Sequence, residues 1–292
     1  MSSIRHLIQG HTRDIGFPVK RLLPSMEART VGPFVFFDHM GPVTFAGGTT
    51  EGDVRPHPHI GLATVTYLFS GAMMHRDSLG SVQRITPGDV NWMASGCGIV
   101  HSERIPEDVR EQGTVVQGLQ MWVALPLADE EMAPAFWHYP ASELPNVDLD
   151  GARLHVLAGT AFGHTSPVKT HSPTLYVAAN LPGGGKLQVP ADYAERAVYI
   201  VSGAATLDGE ALNAGTLAVL EPGVVVDILA QQETVLMILG GEPLDGKRSI
   251  WWNFVSSSKE RMETAKFAWA SQQPDMFPKV PGETEFIPLP DH

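Results

Sequence analysis

Two short patterns carry side chains that can act together. The stretch "RPHPHIGLATVTYLFSG" (55–71) holds His57 and His59, two residues apart and each behind a proline. The stretch "CGIVHSERIP" (97–106) holds His101 and Glu103 at the same spacing. In a strand, residues i and i+2 point to one face, so each pair presents two donors side by side. Two such strands facing inward across a barrel would bring all four groups to one point. Three neutral imidazoles and one carboxylate make a nitrogen-rich, singly anionic site. By ligand type it suits Fe(II) and also accepts Mn, Co, Ni, Cu or Zn. Four protein ligands on an octahedral ion leave two positions open, as O2 and substrate chemistry requires. The competing readings are a loop pair held by its prolines and a structural metal, whose site is normally closed.

Neither pattern is specific alone, because the chain has 12 histidines and short motifs recur by chance. Their weight comes from the elements that must position them. "ATVTYLFSG" (63–71) followed by "TPGDVNWMASG" (86–96) resembles "ERAVYIVSG" (195–203) followed by "NAGTLAVLEPG" (213–223). "LQMWVALP" (119–126) matches "VLMILGGEP" (235–243) in the same order. Aligned on Gly71 and Gly203, His57 falls on Val189 and His59 on Ala191. Aligned on Gly96 and Gly223, His101 falls on Ile228 and Glu103 on Ala230. A fold that accepts four apolar residues there does not need the polar ones in order to fold.

Short alternating strands bounded by glycine turns, present twice, predict an all-β protein of two jelly-roll barrels in tandem. The expected division is a metal-binding barrel over 1–135, a barrel without metal ligands over 136–243, and a tail over 244–292 packing on the barrels. "SSSKERMETAKFAWA" reads as a helix, with Ser257 and Glu260 at capping-box spacing. "FPKVPGETEFIPLP" after it reads as extended. The 29 glycines and 23 prolines fit a turn-rich chain. A net charge of −12 argues against direct nucleic-acid binding, which needs a basic footprint. The single cysteine, Cys97, rules out an intramolecular disulfide and fits a reducing, cytoplasmic setting. "MSSIRHLIQGHTRDIG" lacks the apolar run of a signal peptide, and no stretch has the length of a membrane span. No G-x-S-x-G elbow occurs, and "PGGGK" (182–186) lacks phosphate-loop spacing.

"HPHIGLATVTYLFSG", "HRDSLGS", "PGDVNWMASGCGIVHSE" and "LQMWVALP", with "VGPFVFFDHMGP" (31–42) before them, resemble the pirin family of the cupin superfamily. The resemblance is dense over 31–126 and looser beyond. It implies two cupin barrels, the first binding iron through His57, His59, His101 and Glu103, the second empty. It implies one of two functions. The first is quercetin 2,3-dioxygenase activity, opening a flavonol-like ring with O2 and releasing CO. The second is a redox-sensitive iron-binding regulator acting through a protein partner.

In the first function Glu103 is the catalytic residue, accepting the proton of the flavonol 3-hydroxyl. Ala63 departs from the Glu common in relatives at that place, which changes the pocket wall and not the ligand set. Cys97 stands where relatives often carry a basic residue and reads as a small buried thiol. His39, Met40 and Phe45 are weaker candidates for a pocket mouth. His75 reads as a turn residue before "DSLG", the alternative being a residue behind the metal ligands, and Trp92 and Trp122 read as core.

Overall fold

The repeated glycine-bounded strands form, in the computed structural model, two jelly-roll units. The structure describes residues 2–290. Gly71 (φ +80°) and Gly203 (φ +84°) end the matching strands Leu62–Ser70 and Glu195–Ser202. A Cβ on Gly71 would press on Val116, and one on Gly203 on the Glu233 carbonyl. Only glycine suits that φ and that approach together.

One unit comprises Arg13–Val19, Asp38–Ala141 and Asp245–His292. Its smaller sheet runs Val54–His59, Ile99–Arg104, Met73–Asp77, Val82–Ile85. Its larger sheet includes, as successive neighbours, Val90–Ala94, Leu62–Ser70 and Val116–Ala124. The other unit comprises Met1–Thr12, Lys20–Phe37 and Ser142–Leu244. Its smaller sheet repeats the same order with Lys186–Val189, Val226–Ala230, Ala204–Leu207, Glu210–Asn213. The units are therefore not the consecutive blocks expected from sequence. Ile4–Gln9 pairs with Thr216–Leu220 and joins the C-terminal unit. Such a pairing has no local signal, because any exposed strand edge can take it.

The register also corrects the alignment of the copies. His57 lies opposite His101, as Leu187 lies opposite Ile228. His59 lies opposite Ile99, as Val189 lies opposite Val226. The counterparts of His57 and His59 are thus Leu187 and Val189, not Val189 and Ala191. The span from the end of the first strand to the glycine, His59 to Gly71 and Val189 to Gly203, is two residues longer in the second copy, which shifted the count. Leu187, Val189, Ile228 and Ala230 all belong to that unit's apolar core, so the site is replaced there by packed hydrocarbon.

The tail forms a hairpin, Ser249–Trp251 with Phe254–Ser256, then the helix Lys259–Ala270. The helix is capped by Ser258, whose side chain accepts from the Arg261 amide. Ser257, the expected cap, instead donates its hydroxyl to Glu130. Alternation along Ile99–Arg104 explains where the tail docks. His101 and Glu103 turn to the barrel interior, and Val100, Ser102 and Arg104 turn outward. Val100 and Ile60 pack with Phe254, Met262, Trp269 and Phe277. Ser102 and Arg104 both bond Glu283.

Candidate metal centre

The strands Val54–His59 and Ile99–Arg104 are antiparallel neighbours, and their inward positions bring three imidazoles together. One nitrogen from each of His57, His59 and His101 lies within 4.8 Å of the other two. The ring centroids are 4.4 Å (His57–His101) and 5.0 Å (His57–His59 and His59–His101) apart. A bulge at Arg55–Pro56 opposite the His101–Glu103 step interrupts the ladder, a place where a proline is tolerated.

Each ring is held from behind. His57 Nδ1 lies 2.9 Å from the Arg55 carbonyl and His59 Nδ1 lies 3.0 Å from the Asn253 carbonyl. A carbonyl only accepts, so both Nδ1 atoms carry the proton and both Nε2 atoms are bare. The bare His59 Nε2 sits 3.1 Å from His101 Nε2. At that distance the two nitrogens share either the His101 proton or a cation lying between the rings. The donor set therefore fits a metal ion bound by neutral imidazoles, and carbonyls behind the rings are the usual orienting partners.

Glu103 does not belong to the tight trio. Among the described residues, its hydrogen bonds fall on Oε1, from Gln120 Nε2 at 3.2 Å and more weakly from Thr66 Oγ1 at 3.4 Å. The Thr66 hydroxyl has one proton and its shorter bond, 2.8 Å, goes to Gln120 Oε1. That contact orients the amide so that its NH2 faces Glu103. Thr66 and Gln120 come from the larger sheet, so Glu103 spans the barrel interior. Trp122, two residues from Gln120 on the same face, packs edge-to-face with the His59 ring, their centroids 5.3 Å apart.

The site is deeply buried. His101 is 0% exposed and His59 1%, against 6% for His57 and 8% for Glu103, so solvent reaches it from the His57–Glu103 side. Burial holds His57 down to about 4, with His75 adding to the effect against the opposing Arg55 carbonyl. It holds His59 and His101 well below the ordinary histidine value, reinforced by the neighbouring imidazoles. It lifts Glu103 to about 7 against the opposing bonds from Thr66 and Gln120.

These shifts set the pH response of the metal-free protein. Histidines lowered on folding bind their protons only in the unfolded chain, so stability is lost as pH falls through about 6.5 toward about 4. Glu103, raised on folding, acts oppositely between about 4.5 and about 7. Three groups outweigh one, so unfolding takes up protons on balance between about pH 5 and 6. The urea midpoint of metal-free protein is expected to fall steadily over that range. A flat profile would mean that the histidines are not held neutral.

Two further residues stand behind the ligands: His75, for which the sequence favours the turn reading over a place behind the site, and Asp77, read only as part of a hairpin. His75 and Asp77, also two apart, lie opposite Glu103 and His101 on the strand Met73–Asp77. They share the spacing of the ligand pairs, which was the available signal. The remaining candidates resolve differently. Met40 and Phe45 belong to an apolar cluster with Phe17, Val19 and Leu68. His39 Nε2 meets Gln117 Nε2 at 3.0 Å. Trp92 is fully buried core. Cys97 is exposed, contrary to the buried thiol expected, because it stands on the turn between Ser95 and Gly98.

Comparison with known proteins agrees with this architecture. The family models for Pirin and for the Pirin C-terminal cupin domain match residues 16–123 and 176–274. A pirin-like protein of Caulobacter vibrioides is 48% identical, covering 96% of each chain. A Pseudomonas aeruginosa protein provisionally named quercetin 2,3-dioxygenase is 37% identical over 87% of this chain and 79% of its own. The crystal structure of a quercetin 2,3-dioxygenase from Acinetobacter baumannii superposes with a TM-score of 0.91 at 35% identity, covering 98% of this chain and 95% of that one. With both barrels matched in order and a close relative aligned almost end to end, the chain belongs to the pirin family.

Proposed function

We propose that the protein is a metal-dependent dioxygenase of the quercetin 2,3-dioxygenase type, acting on a small aromatic, flavonol-like substrate with O2. The observation that carries this is the convergence of bare imidazole nitrogens beside a carboxylate that faces the accessible side. His57, His59 and His101, with Glu103, are the protein ligands, and Fe(II) is the resident ion that this donor set suits. Bound there, the ion supplies Lewis-acid polarisation of a substrate hydroxyl and a partner for O2. The relatives' names support the substrate class.

Glu103 does the proton chemistry. Gln120 fixes its Oε1, leaving Oε2 for the flavonol 3-hydroxyl proton. His57 and Glu103, the more exposed members, mark the side from which substrate enters. The closed His59–His101 side excludes water. No helix among the described residues is long and apolar enough to cross a membrane, and a cytoplasmic setting is part of the proposal.

The deciding experiment strips the protein, reloads it anaerobically with Fe(II), and adds quercetin and air. Loss of flavonol absorbance and release of CO are followed together. Iron-dependent turnover is expected, with His101→Ala losing both iron and activity. Tight iron binding without turnover would favour the regulator acting through a protein partner. Undiminished turnover in His101→Ala would overturn the site.

A further inference from the structure

We propose that Asp77 and His75 are positioning residues that fix the tautomer of His101 and so keep its Nε2 bare for a metal; this rests on the metal-site reading above. Asp77 is completely buried at the end of its strand. Its Oδ1 accepts the amides of Leu79 at 2.9 Å and Ser81 at 3.0 Å. Its Oδ2 lies 2.9 Å from His75 Nε2. A carboxylate only accepts, so His75 Nε2 carries a proton, and in the neutral ring its Nδ1 presents a lone pair. That lone pair faces His101 Nδ1 at 3.4 Å. His101 Nδ1 can then donate to it, in competition with the 3.1 Å contact of its Nε2 with His59 Nε2; with a cation between the rings only the Nδ1 tautomer suits both sides.

The chain has one polarity, from carboxylate through His75 to His101. His57 and His59 obtain the same result from main-chain carbonyls, which cannot reverse. His101 obtains it from another imidazole, which can, so only Asp77 settles the direction. Stacking fixes the His75 ring plane: Phe136 lies 4.2 Å away at 8°. A full negative charge behind the relay also makes His101 a stronger donor.

The twin barrel supports a role in the site over a role in folding. Asp77 pairs with His101 as Leu207 pairs with Ile228. His75 pairs with Glu103 as Ala205 pairs with Ala230. Relay and ligands are present together in one unit and absent together in the other.

Asp77→Asn tests this without changing shape. The amide oxygen can still accept from Leu79 and Ser81, while its NH2 faces His75 Nε2 and reverses the donor on that ring. Two readouts are needed. Nitrogen-15 NMR of the diamagnetic Zn(II)-loaded wild-type protein should show His75 protonated on Nε2 and His101 on Nδ1, with the His75 proton moved to Nδ1 in the variant. Ni(II) affinity, by chelator competition, should fall about 10- to 100-fold in Asp77→Asn. His75→Phe, which keeps the stacking and removes the relay, should lose affinity similarly. Wild-type spectra with His101 protonated on Nε2, or His75 on both nitrogens, overturn the proposal even if a variant fails to fold. So do variants with wild-type affinity. Wild-type protein that binds no Ni(II), Zn(II) or Fe(II) at all overturns the metal-site reading instead, and is recognised before any variant is made.

Discussion

Glu103→Gln is expected to keep most of the bound metal and lose about 10²- to 10⁴-fold in turnover, the range for removing a positioned proton acceptor. Three imidazoles remain to hold the ion, and glutamine preserves the shape and the contact with Thr66. What disappears is the capacity of Oε2 to take a proton. Metal content by elemental analysis and initial rates at saturating Fe(II) check the two halves separately. Turnover near wild type in the loaded variant would remove Glu103 from the proton-accepting role. A variant that loses its metal as completely as His101→Ala would make Glu103 chiefly a ligand.

The second large effect is expected at a residue that touches no ligand. Phe254 is fully buried between Trp251, Trp252 and Phe277, with ring centroids 5.7–6.2 Å away. Its backbone runs beside Ile60, where Val255 donates to the Ile60 carbonyl at 3.2 Å. Phe254→Ala is expected to cost about 3–5 kcal/mol, as large-to-small changes of buried aromatics do. Asn253, the preceding residue, supplies the carbonyl behind His59. Metal affinity should therefore fall together with stability. Urea unfolding followed by tryptophan fluorescence gives the first quantity and chelator competition the second. A loss of stability with unchanged affinity would show that the His59 ring is held without the tail.

The ligand set could be read from the chain because strand geometry turns an i, i+2 spacing into a shared face. The duplicated barrel then showed which polar residues folding can do without. Other parts were hidden for physical reasons. Asn253 contributes a main-chain carbonyl, which leaves no mark on residue type. Thr66 and Gln120 lie on largely apolar strands, and only the facing sheet shows that they meet Glu103.

Asp77 was accounted for by turn chemistry, and that account was half right: Oδ1 does hold the turn amides, while Oδ2 serves the histidine. The unit boundary was missed because Ile4–Gln9 pairs with a strand about 200 residues away. Counting outward from Gly71 and Gly203 failed for His57 and His59 where the intervening loops differ in length. It worked for His101 and Glu103, which were aligned on glycines closer to them.

The paired barrels also make the chain its own reference for the price of function. One copy buries three histidines, a glutamate and a His–Asp pair; at the matching positions the other buries leucine, valine, isoleucine and alanine. Selection for activity and selection for a dry, close-packed interior ordinarily compete within a single core. Duplication separates them, leaving one barrel free to keep a polar interior while its twin keeps an apolar one. Mutational tolerance should divide along the same line, with conservative hydrophobic exchange accepted around Ile228 and refused around His101.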